Sequence, residues 1–319
     1  MRRLWQMAMI RLARSHRVKA WAQSSRAGTA LATRYVAGSN VIEGVACATQ
    51  LLRNKQIRAS LFYLGEYVDT PELVAQNVAA KIAVAMALGH AGLDVHVSVD
   101  PTQIGHQLNP AIARQNAFRI AEAIALASQG HGGSHMLMLD MEDQSVTDAT
   151  LALHNDIRAA GLPVAVTLQA YLKRSANDMN SLIASGATVR LVKGAFAAGA
   201  DVAYTTRREV KSHSRKLIDL MFSKEAKDAG FKPIIATHDD QLQQYASQRA
   251  KEQGWVKGVE YEFEMLLGVR SELAELQASN GERVRLYTPF GSDWWPHAMR
   301  RIGENPANGL LLARSLVSG

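Results

Sequence analysis

Along this chain, short β-rich apolar runs that finish in polar side chains alternate with longer stretches whose apolar positions recur at helical spacing. Eight runs read as strands: residues 59–64, 95–99, 136–139, 164–168, 188–192, 233–236, 258–261 and 284–287. The stretches between them, such as 71–90, 111–128, 145–160 and 208–229, are long enough for helices, and another helix is expected over 41–54. Near-continuous apolar strands alternating with helices predict a parallel sheet buried on both faces. Eight such units predict a closed (β/α)8 barrel, an α/β fold whose chemistry gathers at the C-terminal ends of the strands. The rival is an open doubly wound sheet. No strand is followed by its glycine fingerprint, and the GAFAAG of residues 194–199 lacks the spacing.

Length agrees with this pattern, because 319 residues suffice for one barrel behind a helical arm. The division expected is an arm over residues 1–56 and a catalytic barrel over 57–319. Cys47 is the only cysteine, which excludes an internal disulfide and a thiolate metal site and suits a reducing cytoplasm. The net charge of +7 is uneven: eight basic residues, from Arg2 to Arg34, precede the first acidic one, Glu43. Such an arm reads as a docked or solvated helix, with contact at the inner face of an anionic membrane as the alternative. Arg11 and Arg14 interrupt its apolar stretches, so neither a signal-peptide core nor a membrane span is expected there. The arm has no aromatic stacking ladder, and no nucleic-acid role is expected. His131 and His135 fall on a glycine-rich loop with no carboxylate set nearby, so no metal site is expected.

Each predicted strand end names residues that would line one mouth. Asp140 closes the third strand and Gln169 the fourth. Arg190 to Gly194 span the fifth and its loop, Thr237 and His238 close the sixth, and Tyr287 the eighth. Lys193 followed by Gly194 sets a cation beside backbone that a phosphate or heterocycle can approach closely. Arg190 either meets a ligand or pairs with Asp140 inside the barrel. Thr237 and His238 either bond a ligand or, for His238, cap the next helix. Leu266 and Tyr287 are pocket walls or ordinary packing.

The final stretch, LYTPFGSDWWPHAMRRIGENPAN over residues 286–308, adds a helix started by Ser292 or Asp293 and Pro296. On it, Arg300 and Arg301 lie about 100° apart, and Glu304 follows Arg300 at i+4. Two adjacent guanidinium groups, one braced by a carboxylate, suit a carboxylate ligand. An isolated RRxxE would otherwise be a surface ion pair.

RLVKGA (190–195), ATHD (236–239), EFEMLLGVR (262–270), YTPFG (287–291) and HAMRRIGENPAN (297–308) together resemble the flavin-dependent, monofunctional proline dehydrogenases. YLGE (63–66), LDMED (139–143) and LQAYLKR (168–174) extend the likeness, which runs in order from about residue 34 to the C-terminus. The resemblance implies a distorted (β/α)8 barrel with FAD across the strand ends and the last helix over the substrate. By position, Gln169, Arg190, Val192, Lys193, Gly194, Ala195, Thr237 and His238 would hold FAD. Arg300 and Arg301 would bind the substrate carboxylate with Glu304 bracing them, and Asp140, Leu266 and Tyr287 would shape the pocket. The family's reaction takes a hydride from C5 of proline to flavin N5, gives 1-pyrroline-5-carboxylate in proline breakdown, and delivers the electrons to a membrane quinone.

Departures from the family pattern fall near the substrate. Its last motif begins with tyrosine where this chain has His297, and its second strand carries a lysine where this chain has Asp100. An anion in a carboxylate pocket must turn away or meet another cation. Either Asp100 bonds to His297 or an arginine, or Pro101 redirects the loop and Asp100 is solvated. Lys211 and Ser214 stand where the family commonly has aspartate and tyrosine. The alternatives to proline are therefore hydroxyproline or another cyclic secondary amino acid, in a biosynthetic pathway, or a barrel that binds its ligand without turnover.

Overall fold

The computed structural model describes residues 34–65, 68–295 and 297–299. Arg300, Arg301 and Glu304, with the basic arm before residue 34, lie outside these described residues.

Eight parallel strands close into a barrel in sequence order, the last pairing with the first. They are β1 Arg58–Tyr63, β2 His96–Val99, β3 Met136–Leu139, β4 Val164–Gln169, β5 Thr188–Val192, β6 Lys232–Ala236, β7 Glu262–Leu266 and β8 Val284–Phe290. Around them run α1 Val41–Lys55, α2 Pro71–His90, α3 Pro110–Ala127, α4 Thr147–Ala159, α5 Ser175–Ala184, α6 Arg207–Met221, α7 Lys224–Asp228, α8 Asp240–Glu252 and α9 Ser271–Ser279. Local chemistry sets several helix starts. The Thr70 hydroxyl accepts from the Leu73 N–H with Pro71 in the first turn of α2, and the Asn109 side chain caps α3 ahead of Pro110. α6 opens on a full capping box between Thr206 and Glu209. Among the described residues, only α2 is long and apolar enough to cross a membrane, and its apolar face packs on the barrel.

Successive strand residues face opposite sides of the sheet, which sorts the barrel into two cores. Outward residues such as Leu61, Val97, Leu137, Val189, Ile235 and Phe263 pack against the helices in one large cluster. Inward residues form layers inside the barrel. The floor is ionic: Arg285, wholly buried, forks onto Glu262 at 2.7 and 3.1 Å and donates to Asp94 at 2.8 Å, while Arg58 also grips Asp94. Above it lie Met136, Met138, Ala165 and Ile234, and His96 is buried there too, held neutral by burial and by Arg285 and Arg190.

Two sequence expectations are corrected. Residues 257–260 form a turn, Tyr261 follows it outside any element, and β7 starts at Glu262. Glu262 and Glu264, both on this strand, point into the barrel and meet arginines. β8 also runs to Phe290, so Tyr287 lies within the strand instead of closing it.

Candidate active site

The inward positions at the C-terminal strand ends converge on one polar group. Arg190 on β5, buried like a core residue, donates to Glu264 Oε1 at 2.9 Å and Thr167 Oγ1 at 3.0 Å and pairs with Asp140. The Tyr287 hydroxyl on β8 donates to Asp140 Oδ2 at 2.9 Å, and the Tyr287 ring lies beneath the Arg190 guanidinium at 5.4 Å. These bonds join β3, β4, β5, β7 and β8 across the barrel axis. Burial pushes Glu264 up and the Arg190 guanidinium pulls it back, leaving its carboxyl above the usual range. Arg190 therefore does pair with Asp140, the second of its two sequence readings.

Gln169, level with Val192 and one inward position beyond Thr167 on β4, donates through Nε2 to the Met141 carbonyl at 3.0 Å. Its Oε1 is buried and, among the described residues, has no hydrogen-bond partner. Reversing the amide would set two acceptors against each other, so the acceptor is fixed by the Met141 contact. A buried acceptor without a donor suits a ligand N–H.

After β5 the chain leaves the barrel at Val192, and the Lys193 carbonyl accepts from the Tyr171 N–H at 3.0 Å. Gly194 has φ +93°, and a Cβ there would lie 2.1 Å from the Tyr171 ring, so glycine alone fits this close turn. Lys193 and Ala195 are exposed beside it.

At the end of β6, Asp239 caps α8. His238 does other work: its Nε2 accepts from the Leu266 N–H at 3.0 Å, which ties the β6 and β7 ends together and puts the proton on Nδ1 of the neutral ring. Thr237 Oγ1 accepts from the Asp239 N–H at 3.1 Å. Lys211 also reaches Asp239, at 2.7 Å, while Ser214 bonds back to the Val210 carbonyl, so both unusual residues of α6 support this loop or their own helix.

Over the β1 and β8 side of the mouth, Tyr35, Val36, Phe62, Leu64, Trp295, Ala298 and Met299 form an apolar cluster, with Tyr287 packed against it. Residues 297–299 are helical, and His297 is buried among them at 7% exposure. Asp100, half-buried, opens the turn after β2. The His131 and His135 loop is structural in its contacts: His135 Nδ1 accepts from the Val95 N–H.

Sequence reasoning did not single out Glu264, Thr167 or Arg270. Arg270 adopts a left-handed backbone, φ 51°, and its guanidinium donates to the His238 carbonyl at 2.9 Å. Inward parity on β4 and β7 signals the first two once the strand bounds are right, and the EFEMLLGVR motif already contained the third.

A closed parallel barrel with a polar network at the strand ends and an apolar lid defines a barrel enzyme. The family profile for proline dehydrogenase matches residues 45–314, and the chain belongs to the proline dehydrogenase family, oxidoreductases acting on the CH–NH group of proline. The proline dehydrogenase of Deinococcus radiodurans is 33% identical over 294 residues, covering 91% of each chain. Proline dehydrogenase 1 of Bacillus subtilis subsp. natto is 31% identical over 91% of this chain and 92% of its own. Among solved structures, proline utilization A from Bdellovibrio bacteriovorus, inactivated by N-propargylglycine, superposes with a TM-score of 0.76 at 20% identity over 87% of this chain. Proline utilization A from Corynebacterium freiburgense gives 0.73 at 21% identity over 98% of this chain. The chain spans about a third of those longer proteins, 33% and 34%, and the likeness carries the fold alone.

Proposed function

We propose that this chain oxidises L-proline to 1-pyrroline-5-carboxylate with FAD as cofactor, the first step of proline breakdown to glutamate. The observation that carries the reading is the mouth itself: Asp140, Arg190 and Tyr287 meet in one buried polar layer, Gln169 stands one inward position beyond it on β4, and an apolar lid lies alongside. FAD, when bound, would supply the hydride acceptor for C5 of the ring. The residues present fit such a group. Gln169 Oε1 offers a buried acceptor to a heterocycle N–H, and Gly194 lets the β5 loop pass close to a flat ligand.

Gln169, Arg190, Val192, Lys193, Gly194, Ala195, Thr237 and His238 would hold FAD. The cation at Arg190 or Lys193 would stabilise negative charge gained on reduction. Asp140, Leu266, Tyr287 and His297 would shape the substrate pocket, with Asp100 at its β2 edge. Arg300 and Arg301, braced by Glu304, would clamp the carboxylate and so fix C5 at transfer distance. The lid excludes water, which strengthens each of these interactions. A quinone is the proposed electron acceptor, and the proposed place is the cytoplasm, with peripheral contact at the inner face of the membrane.

The test is the visible spectrum of the purified protein, followed by anaerobic addition of L-proline and then 4-hydroxyproline. Loss of the oxidised flavin band with proline is the expected result. Bleaching by hydroxyproline alone would move the substrate to the substituted ring, and a protein that neither holds nor takes up flavin would overturn the assignment.

A further inference from the structure

Lys81 on α2 has no part in the network described above, yet its side chain is wholly buried. A buried ammonium is costly unless its donors and its charge are met. Its Nζ donates to Gln103 Oε1 at 2.9 Å and reaches Asn77 Oδ1 at 3.5 Å, both neutral groups. It also lies 5.7 and 5.6 Å from the ring centroids of Phe62 and Tyr63, near the end of β1. Among the described residues it makes no ion pair with a carboxylate.

Those contacts place the cation beside the turn that Asp100 opens. The Gln103 N–H donates to the Asp100 carbonyl at 3.0 Å, and Gln103 Nε2 donates to the Gly65 carbonyl at 2.9 Å. Gln103 thus couples Lys81 to the backbone that carries Asp100. Asp100 is the charge that opposes the loss of the Lys81 proton, which burial favours. From the other side, Thr102 in the same turn gives its N–H and hydroxyl to Glu142, at 2.9 and 2.7 Å. Two carboxylates therefore flank this turn.

The register extends the comparison. Val99 pairs with Leu139, so Asp100 and Asp140 end neighbouring strands at the same level. Asp140 has Arg190 as its cation. Asp100 has Lys81 behind it, reaching in from a helix instead of from a strand.

We infer that Lys81 is a positioning residue of the mouth: its buried ammonium, tied to the Asp100 turn through Gln103, offsets the Asp100 charge and so admits a substrate carboxylate on that side. The inference rests on the proline-oxidising reading and adds a residue to it.

The experiment uses the full chain with its cofactor and compares Lys81→Met, Asp100→Asn and the double variant. Two quantities are read: the Kd of cyclopentanecarboxylate, which keeps proline's ring and carboxylate but lacks the nitrogen, by calorimetry, and KM and kcat for L-proline. Lys81→Met should weaken the probe and raise KM by about ten-fold, with kcat changed by less than about three-fold. Adding Asp100→Asn should bring both back to within about three-fold of the parent. Asp100→Asn alone should tighten the probe by roughly three-fold or more, which keeps the test decisive if Lys81→Met does not fold. A double variant as weak as Lys81→Met, unchanged binding by Lys81→Met, or weaker or unchanged binding by Asp100→Asn overturns the inference. A parent protein that binds the probe but leaves proline unoxidised overturns the functional reading, and the probe series then decides the charge pairing alone. A parent that binds neither overturns both.

Discussion

Arg190 shows how one residue serves both packing and chemistry. Its guanidinium bonds to Thr167 and Glu264 and pairs with Asp140, and each partner sits on a different strand. Replacing it by methionine would leave two carboxylates facing each other in a dry layer. Arg190→Met should therefore cost about 3–5 kcal/mol in urea unfolding, because an uncompensated buried charge is worse than no pair at all. Loss of the proposed FAD should accompany it. At this scale the sequence spoke in residue types: a charge at a strand end is visible, but whether it meets a ligand or another strand is not. Asp140 and Arg190 stand fifty positions apart and become partners only through barrel closure.

At the scale of elements, most boundaries follow from local signals. Thr70 with Pro71, Asn109 with Pro110, and the Thr206–Glu209 box each start a helix where the sequence pattern placed one. The box is worth a direct check. Thr206→Ala removes the acceptor for the Glu209 N–H, so the variant should lose about 1 kcal/mol, read as a lower urea midpoint at an unchanged m-value. β7 is the element that local reasoning misplaced. Its inward positions are Glu262 and Glu264, and only Arg285 and Arg190, supplied by other strands, make two acidic residues tolerable inside the barrel. The end of β8 moved for a related reason: Ala37 donates to the Pro289 carbonyl, the Gly38 carbonyl accepts from the Gly291 N–H, and pairing with β1 carries the strand to Phe290.

For the whole molecule, opposed titrations shape stability against pH. Burial acts to raise Asp94, but Arg285, Arg58 and the Ser134 N–H outweigh it and hold the carboxyl below its usual range. A depressed carboxylate stabilises the fold above its unfolded pKa, and that contribution is lost as pH falls below about 4. Glu142 works the other way, because burial and then Asp100 push it up to about 7. Between its ordinary value and about 7 the folded state holds a proton that the unfolded state has released, so stability falls as pH rises through that window. Burial lowers Lys81 to about 7, against the pull of Asp100. There the unfolded chain holds the extra proton, and stability recovers from about 7 toward the ordinary lysine value. Urea titrations should show a maximum on the acid side of neutrality, and Glu142→Gln should flatten the fall between about pH 4.5 and 7. A slope unchanged by that substitution would show that Glu142 does not set it. By itself the sequence determined the barrel, because alternating β-rich and helix-period runs leave few other ways to bury both faces of eight strands. It also supplied the residues of the mouth, whose types and order mark a family. Tertiary structure alone decided which charges oppose one another: the floor around Arg285, the layer around Arg190, and Lys81 beside the Asp100 turn. Those pairings join distant strands and helices, and a linear pattern holds no distance across a closed barrel.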